Sequence, residues 1–113
     1  MARIRRYCGP YILEFDHDKI REYCGQYRYQ LERGYVREYC GSFKYEISGN
    51  QIRRYCGSYL LTVEGNQIRR YCGPYIATIE GNRIREYCGQ YLYEIEGFLT
   101  HEEMMALIAI LFA

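Results

Sequence analysis

Cys8, Cys24, Cys40, Cys56, Cys72 and Cys88 lie sixteen residues apart, each inside a Tyr-Cys-Gly triplet. Aligned on these cysteines, residues 4–99 become six copies of one unit, starting at Ile4, Ile20, Val36, Ile52, Ile68 and Ile84. Each reads approximately I-R-[RE]-Y-C-G-x-Y-x-x-x-I-x-G-N-x. A unit this short cannot bury its own apolar face, so successive units must stack on one another. Residues 100–113 break the period, and the chain of 113 residues is read as a single repeat domain.

Within a unit the spacing predicts two short strands. Tyr59, Leu61 and Val63 alternate with more polar neighbours, and the same parity recurs at Tyr11, Leu13 and Phe15 or Tyr75, Ala77 and Ile79. Turn signals separate the strands: Cys-Gly on one side, Gly49-Asn50, Gly65-Asn66 and Gly81-Asn82 on the other. With two-residue loops at Gly65-Asn66 and Cys72-Gly73, Val63 faces Ile68, Glu64 faces Gln67 and Ile68 faces Ala77. The same register sets Asp16 against Lys19 and Glu80 against Arg83, both favourable pairs.

The expected fold is therefore all-β: six tandem two-strand repeats in an antiparallel hairpin meander. A β-solenoid with one coil per repeat is the runner-up, and a closed or propeller-like arrangement comes third. Charge ranks them. Arg6, Glu22, Glu38, Arg54, Arg70 and Glu86 fall on the apolar face. A solenoid would bury them dry and stack the repeated arginines at about 4.8 Å.

The tail, "FLTHEEMMALIAILFA", predicts a short capping α-helix over 100–113. Thr100 and Glu103 form a capping-box pattern, and the apolar residues that follow cover nearly every side of a helix. Twelve strands side by side span roughly 58 Å, against roughly 20 Å for the helix. Either the sheet curls around the helix, or two chains pair, or a solenoid is capped at its end. A homo-oligomer formed through the aromatic sheet face and Met104, Leu107, Ile108, Leu111 and Phe112 is the expected assembly.

Lys and Arg number 15 against 14 for Asp and Glu, without the basic excess of a nucleic-acid binder. No segment reaches the length of a membrane span or a secretory signal, so a cytoplasmic protein with reduced thiols is expected. The cysteines lack C-x-x-C spacing, and the only histidines are His17 and His101. Ser42, Ser48 and Ser58 near turns form no triad pattern, and Glu64 and Glu80 at strand ends read as solvated pairing partners. No enzyme, cofactor or metal is expected.

The function that fits is a non-enzymatic scaffold for self-assembly or partner binding. Its surface would be Arg5, Arg21, Arg37, Arg53, Arg69 and Arg85 with Tyr7, Tyr23, Tyr39, Tyr55, Tyr71 and Tyr87. The alternative is a thiol-based metal-binding or redox protein using the six cysteines. The pattern I-R-x-Y-x-G-x-Y-x-Y-x-I-x-G-N, closed by "EEMMALIAILFA", resembles uncharacterised short tandem-repeat proteins of bacteria. The resemblance implies a bacterial repeat protein and carries no functional residues.

Overall fold

A computed structural model describes residues 2–113. In chain order the strands are β1 (Ala2–Arg6), β2 (Tyr11–Asp16), β3 (Lys19–Glu22), β4 (Tyr27–Glu32), β5 (Tyr35–Glu38) and β6 (Phe43–Ser48). Then come β7 (Gln51–Arg54), β8 (Tyr59–Glu64), β9 (Gln67–Arg70), β10 (Tyr75–Glu80), β11 (Arg83–Glu86), β12 (Tyr91–Glu96) and the helix α1 (His101–Phe112). Each strand pairs antiparallel with its sequence neighbours, and β1 pairs with β12, so the meander closes into a twelve-stranded barrel. The solenoid is thereby ruled out: stacked coils would pair equivalent strands of successive repeats, and here strands pair through hairpins. The closing pair repeats the internal register, with Ile4 facing Ile95 as Ile20 faces Phe15 and Ile84 faces Ile79.

The expected registers all occur: Val63 with Ile68, Glu64 with Gln67, Ile68 with Ala77, Asp16 with Lys19 and Glu80 with Arg83. One feature departs from simple alternation. Past the Ile68–Ala77 pair the register slips, so Arg69 faces Tyr75 and Ile76 is an extra residue in the longer strand. The same bulge recurs beside Ile4, Ile20, Val36, Ile52 and Ile84. An inserted residue flips everything beyond it to the other face. The tyrosines at 11, 27, 59, 75 and 91, together with Phe43, therefore lie outside with the arginines, not inside with Leu13, Leu61 and Ala77 as the alternation suggested. The bulge residues Ile12, Leu60 and Ile76 pack on the core instead.

The helix lines no outer surface. Met105, Ala106, Leu107, Ile108 and Ala109 are buried on every side, in one cluster with inward residues of β1–β5, β7–β12 and their neighbours. It thus runs through the bore as a plug: of the three arrangements expected for the helix, the sheet curling around it is the one found, and the end cap of a solenoid is not. Rolling roughly 58 Å of sheet into a circle gives a radius of about 9 Å before strand tilt, close to the ~10 Å at which layers pack. A helix of twelve residues is about 18 Å long, matching the 17 Å depth of a molecule 36 × 35 Å across. The Thr100–Glu103 capping box starts α1 at the Gly-Asn end, where the His101 imidazole lies 3.5 Å from the Gly49 carbonyl. Ile110 and Leu111 reach the cysteine end, beside Arg6 and Glu22.

Candidate functional site at the cysteine-bearing end

Six turns crown this end. In Arg70–Tyr71–Cys72–Gly73 the Gly73 N–H donates to the Arg70 carbonyl at 2.9 Å, and the third residue, Cys72, has φ +54°. All six cysteines lie between +54° and +56°, a region that glycine enters freely and a side chain enters at a cost. The glycine that follows serves another purpose. A Cβ on Gly89 would lie 2.8 Å from the Cβ of Glu86, and on Gly73 it would lie 3.2 Å from that of Arg70. The turn folds down on the charged residue three positions earlier, and glycine spares that approach a tight Cβ contact. All six thiols are free and exposed.

Outside, the residues singled out as a binding surface form a belt. Each repeated arginine lies over the aromatic ring six residues on, from 5.1 Å for Arg37 over Phe43 to 6.0 Å for Arg21 over Tyr27. Arg5, Arg37, Arg53, Arg69 and Arg85 also donate to the carbonyl of their turn glycine. Acids complete the arrangement. Glu80 accepts from Arg85 at 3.2 Å and from the Tyr91 hydroxyl at 3.0 Å, and Glu64 does the same for Arg69 and Tyr75, while Glu96 accepts from the Tyr11 hydroxyl and forms a longer ion pair with Arg5 at 3.8 Å. Tyr23, Tyr39, Tyr55, Tyr71 and Tyr87 stack on the aromatic twelve residues earlier, and the Tyr7–Tyr91 pair, centroids 5.0 Å apart, closes the circle. These tyrosines remain partly exposed, but five of the six arginines are tied into the turns they brace, and Arg21 is held by Glu14.

Those contacts set the titration of the belt. The Tyr91 hydroxyl and then Arg85 hold the Glu80 carboxyl below its ordinary range, while Glu64 pushes the Tyr75 hydroxyl up by accepting its hydrogen bond. Glu14, 4% exposed on the outer wall, is lowered chiefly by its hydrogen bonds from Arg21, with Arg3 adding to the effect and burial opposing it.

The inner mouth is different. Arg6, Glu22, Glu38, Arg54, Arg70 and Glu86 do share the inward face, as their spacing implied, but at its open end, where all six are exposed. None takes part in an ion pair or side-chain hydrogen bond among the described residues. They ring the half-buried Ile110, Leu111 and Phe112. A cavity of about 320 Å³ opens here between Arg6, Glu22, Arg28, Tyr29, Tyr93 and Leu111.

Of the helix residues assigned to self-association, Leu107 and Ile108 are fully buried in the bore, and Met104 lies near its other end. Only Leu111 and Phe112 reach the mouth. His17 occupies a hairpin tip at the Gly-Asn end and His101 the start of α1, so no site joins them. Among the described residues no group of three or more His, Cys, Asp or Glu is placed to hold a metal. The sequence displayed the mouth charges as misfits on an apolar face, the one signal from which this ring could have been found. No protein-family pattern, curated protein or solved structure matches the chain.

Proposed function

We propose that the protein is a non-enzymatic repeat scaffold that acts by association through its cysteine-bearing end, with the Arg and Tyr belt holding that end in shape. The contrast in pairing carries this reading: the belt arginines are braced within the chain, whereas six charges around an apolar centre lack partners there. An apolar patch inside a polar ring is the anatomy of a protein interface. Closure also removes the free strand edges through which β-proteins most readily add partners, leaving the two ends and the wall. The wall carries Arg–Glu pairs on strands of four to six residues. A membrane barrel needs an apolar outer band about 25 Å tall, so the wall supports a protein that works in water.

A photo-crosslinker attached to Cys56 in a variant with the other five cysteines changed to Ser tests this in host-cell extract. A matched probe goes on Asn66→Cys at the opposite end, with all native cysteines removed. Adducts of any mass, self-adducts included, are expected from the first probe alone; no adducts, or equal yields from both, would overturn the reading.

A second reading, a thiol-based device, rests on all six thiols being free and exposed at one end. Six titratable thiols in protein that elemental analysis finds free of zinc and copper would exclude a metal-binding form of it.

A further inference from the structure

The strain at the cysteine turns is the least explained expenditure in the molecule. Six non-glycine residues hold φ near +55°, each at a cost of about 1 kcal/mol. The flanking Tyr and Gly are the same in all six repeats, whereas the residue after Tyr-Cys-Gly is Pro10, Gln26, Ser42, Ser58, Pro74 or Gln90. Backbone strain kept in all six repeats points to a use for the side chain.

Geometry limits that use. Successive cysteine turns are two strands apart, roughly 10 Å, beyond the ~7 Å limit between Cα atoms for a disulfide. Adjacent thiols therefore cannot pair within the chain without moving the barrel, and oxidation must join them to another molecule. The end they crown is self-sufficient as an interface. A disc 35 to 36 Å wide presents on the order of 1,000 Å² per copy, against about 800 Å² per partner in a standard stable complex. The charge ring carries three of each sign. Arg28 adds positive charge beside Ile110 and Leu111 at the carbonyl end of α1, where the helix dipole is negative. Lys44 is folded over the Tyr29 and Tyr45 rings at 6.0 and 5.9 Å.

We propose that a second copy of this chain docks on the cysteine-bearing end about a two-fold axis, and that the thiols lock the pair by disulfide formation. This rests on the association reading above and names its partner. The axis reverses the ring order in the second copy. One register alone then sets opposites face to face: Arg6 with Glu86 of the second copy, Arg70 with Glu22 and Arg54 with Glu38. Any ring with three charges of each sign has such a register, so it is a consequence to test and not a support. The lock uses a low-molecular-weight disulfide as oxidant. A thiolate of one copy attacks it, releasing one small thiol and leaving a mixed disulfide. A thiolate of the second copy displaces the other small thiol, so two protein thiols are oxidised and one disulfide is reduced to two thiols.

Reduced protein should sediment as a reversible dimer, and oxidised glutathione should convert it to disulfide-linked pairs that dithiothreitol releases. Because each copy has one such end, the linked species should stop at two chains. R54E should slow locking at least tenfold and R54E/E38R should restore it, with glutathione uptake by the monomer unchanged in each. Circular dichroism shows that the variants fold. Glutathione-capped monomers as the sole product, a ladder of higher polymers, or locking indifferent to R54E would each overturn the proposal. A monomer that still yields Cys56 adducts to other proteins would end the two-fold pair while leaving the association reading standing; loss of all adducts would end both.

Discussion

The two ends of the barrel solve one problem in different ways. Both need hairpin turns containing a residue at positive φ. At the Gly-Asn end Gly49, Gly65 and Gly81 supply it, with φ from +60° to +64°, and His17 and Arg33 stand in where the glycine is missing. At the other end a cysteine supplies it six times, beside a glycine that does not adopt positive φ. The first end follows backbone preference in three of its five hairpins. The second sets preference aside for a side chain, and it is also the end where charges lack partners and the mouth stands open.

The bore should matter to both ends alike, and the largest expected effect tests that. Leu107→Ala removes a fully buried side chain from the helix and should cost about 2–5 kcal/mol. In urea denaturation the loss should appear as one cooperative transition, with hydrogen-exchange protection falling together at both ends. Loss confined to the mouth would mean that the helix serves as a local stopper and not as the core of the barrel.

Acid separates the wall from the turns, since turn strain has no proton to gain or lose. Glu14 is held below the ordinary carboxylate range, about 4, by Arg21 and then Arg3, and Glu80 by Tyr91 and then Arg85. A carboxyl depressed by folding contributes stability that is complete above its unfolded pKa and is lost as pH falls through the folded one. Melting temperature should therefore be level from neutral pH down to about 5 and decline below about 4. Glu14→Gln should lower the melt at neutral pH and flatten that decline; an unchanged acid slope would show that Glu14 is not one of the groups responsible.

Paired substitutions then address the turns directly. Gly65→Ala has open space around its new Cβ, so its whole cost, about 1 kcal/mol, is backbone strain. Cys56→Gly should do the opposite and gain about 0.5–1 kcal/mol, since the relief at φ +54° exceeds the added freedom of the unfolded chain. If Cys56→Gly destabilised reduced protein, the cysteines would be structural and strain would no longer argue for their use.

How much of this the sequence disclosed follows from where each force acts. The pairing of Val63 with Ile68 was legible because turn residues and strand parity are local. The bulge was not. An extra Ile76 leaves the Tyr75–Ala77–Ile79 alternation looking intact while turning Tyr75 outward, and the only trace is a run of apolar residues at Ile12, Leu60, Ile76 and Leu92 where polar ones were expected. Closure depends on a match between the circumference of twelve strands and the girth of a helix, which no single repeat encodes. The mouth was half legible: Arg54 and Glu38 registered as misplaced charges, but only closure shows that they form one ring. Sixfold identity made the belt arginines stand out as candidate binders, although that identity is equally what a brace repeated at every turn would need.

The smallest effect sharpens the difference between brace and interface. Three repeats carry a full latch of acid, arginine and tyrosine, as in Glu64, Arg69 and Tyr75. The corresponding trio Ser48, Arg53 and Tyr59 lacks its acid, and Arg53 turns to Glu46 at 3.7 Å. The turn it braces is nonetheless formed, with Gly57 donating to Arg54 at 2.8 Å and Arg53 donating to Gly57. Turn, bulge and inward isoleucine therefore suffice for the backbone, and the latch adds only stability. Ser48→Glu should complete it and gain about 0.5 kcal/mol, the scale of an exposed pair, or a rise in melting temperature of roughly 2–4 °C. Tyr59→Phe in that background should remove part of the gain and leave association through the mouth untouched. If Ser48→Glu instead altered dimer formation at equal stability, the belt would be part of the interface and not its support.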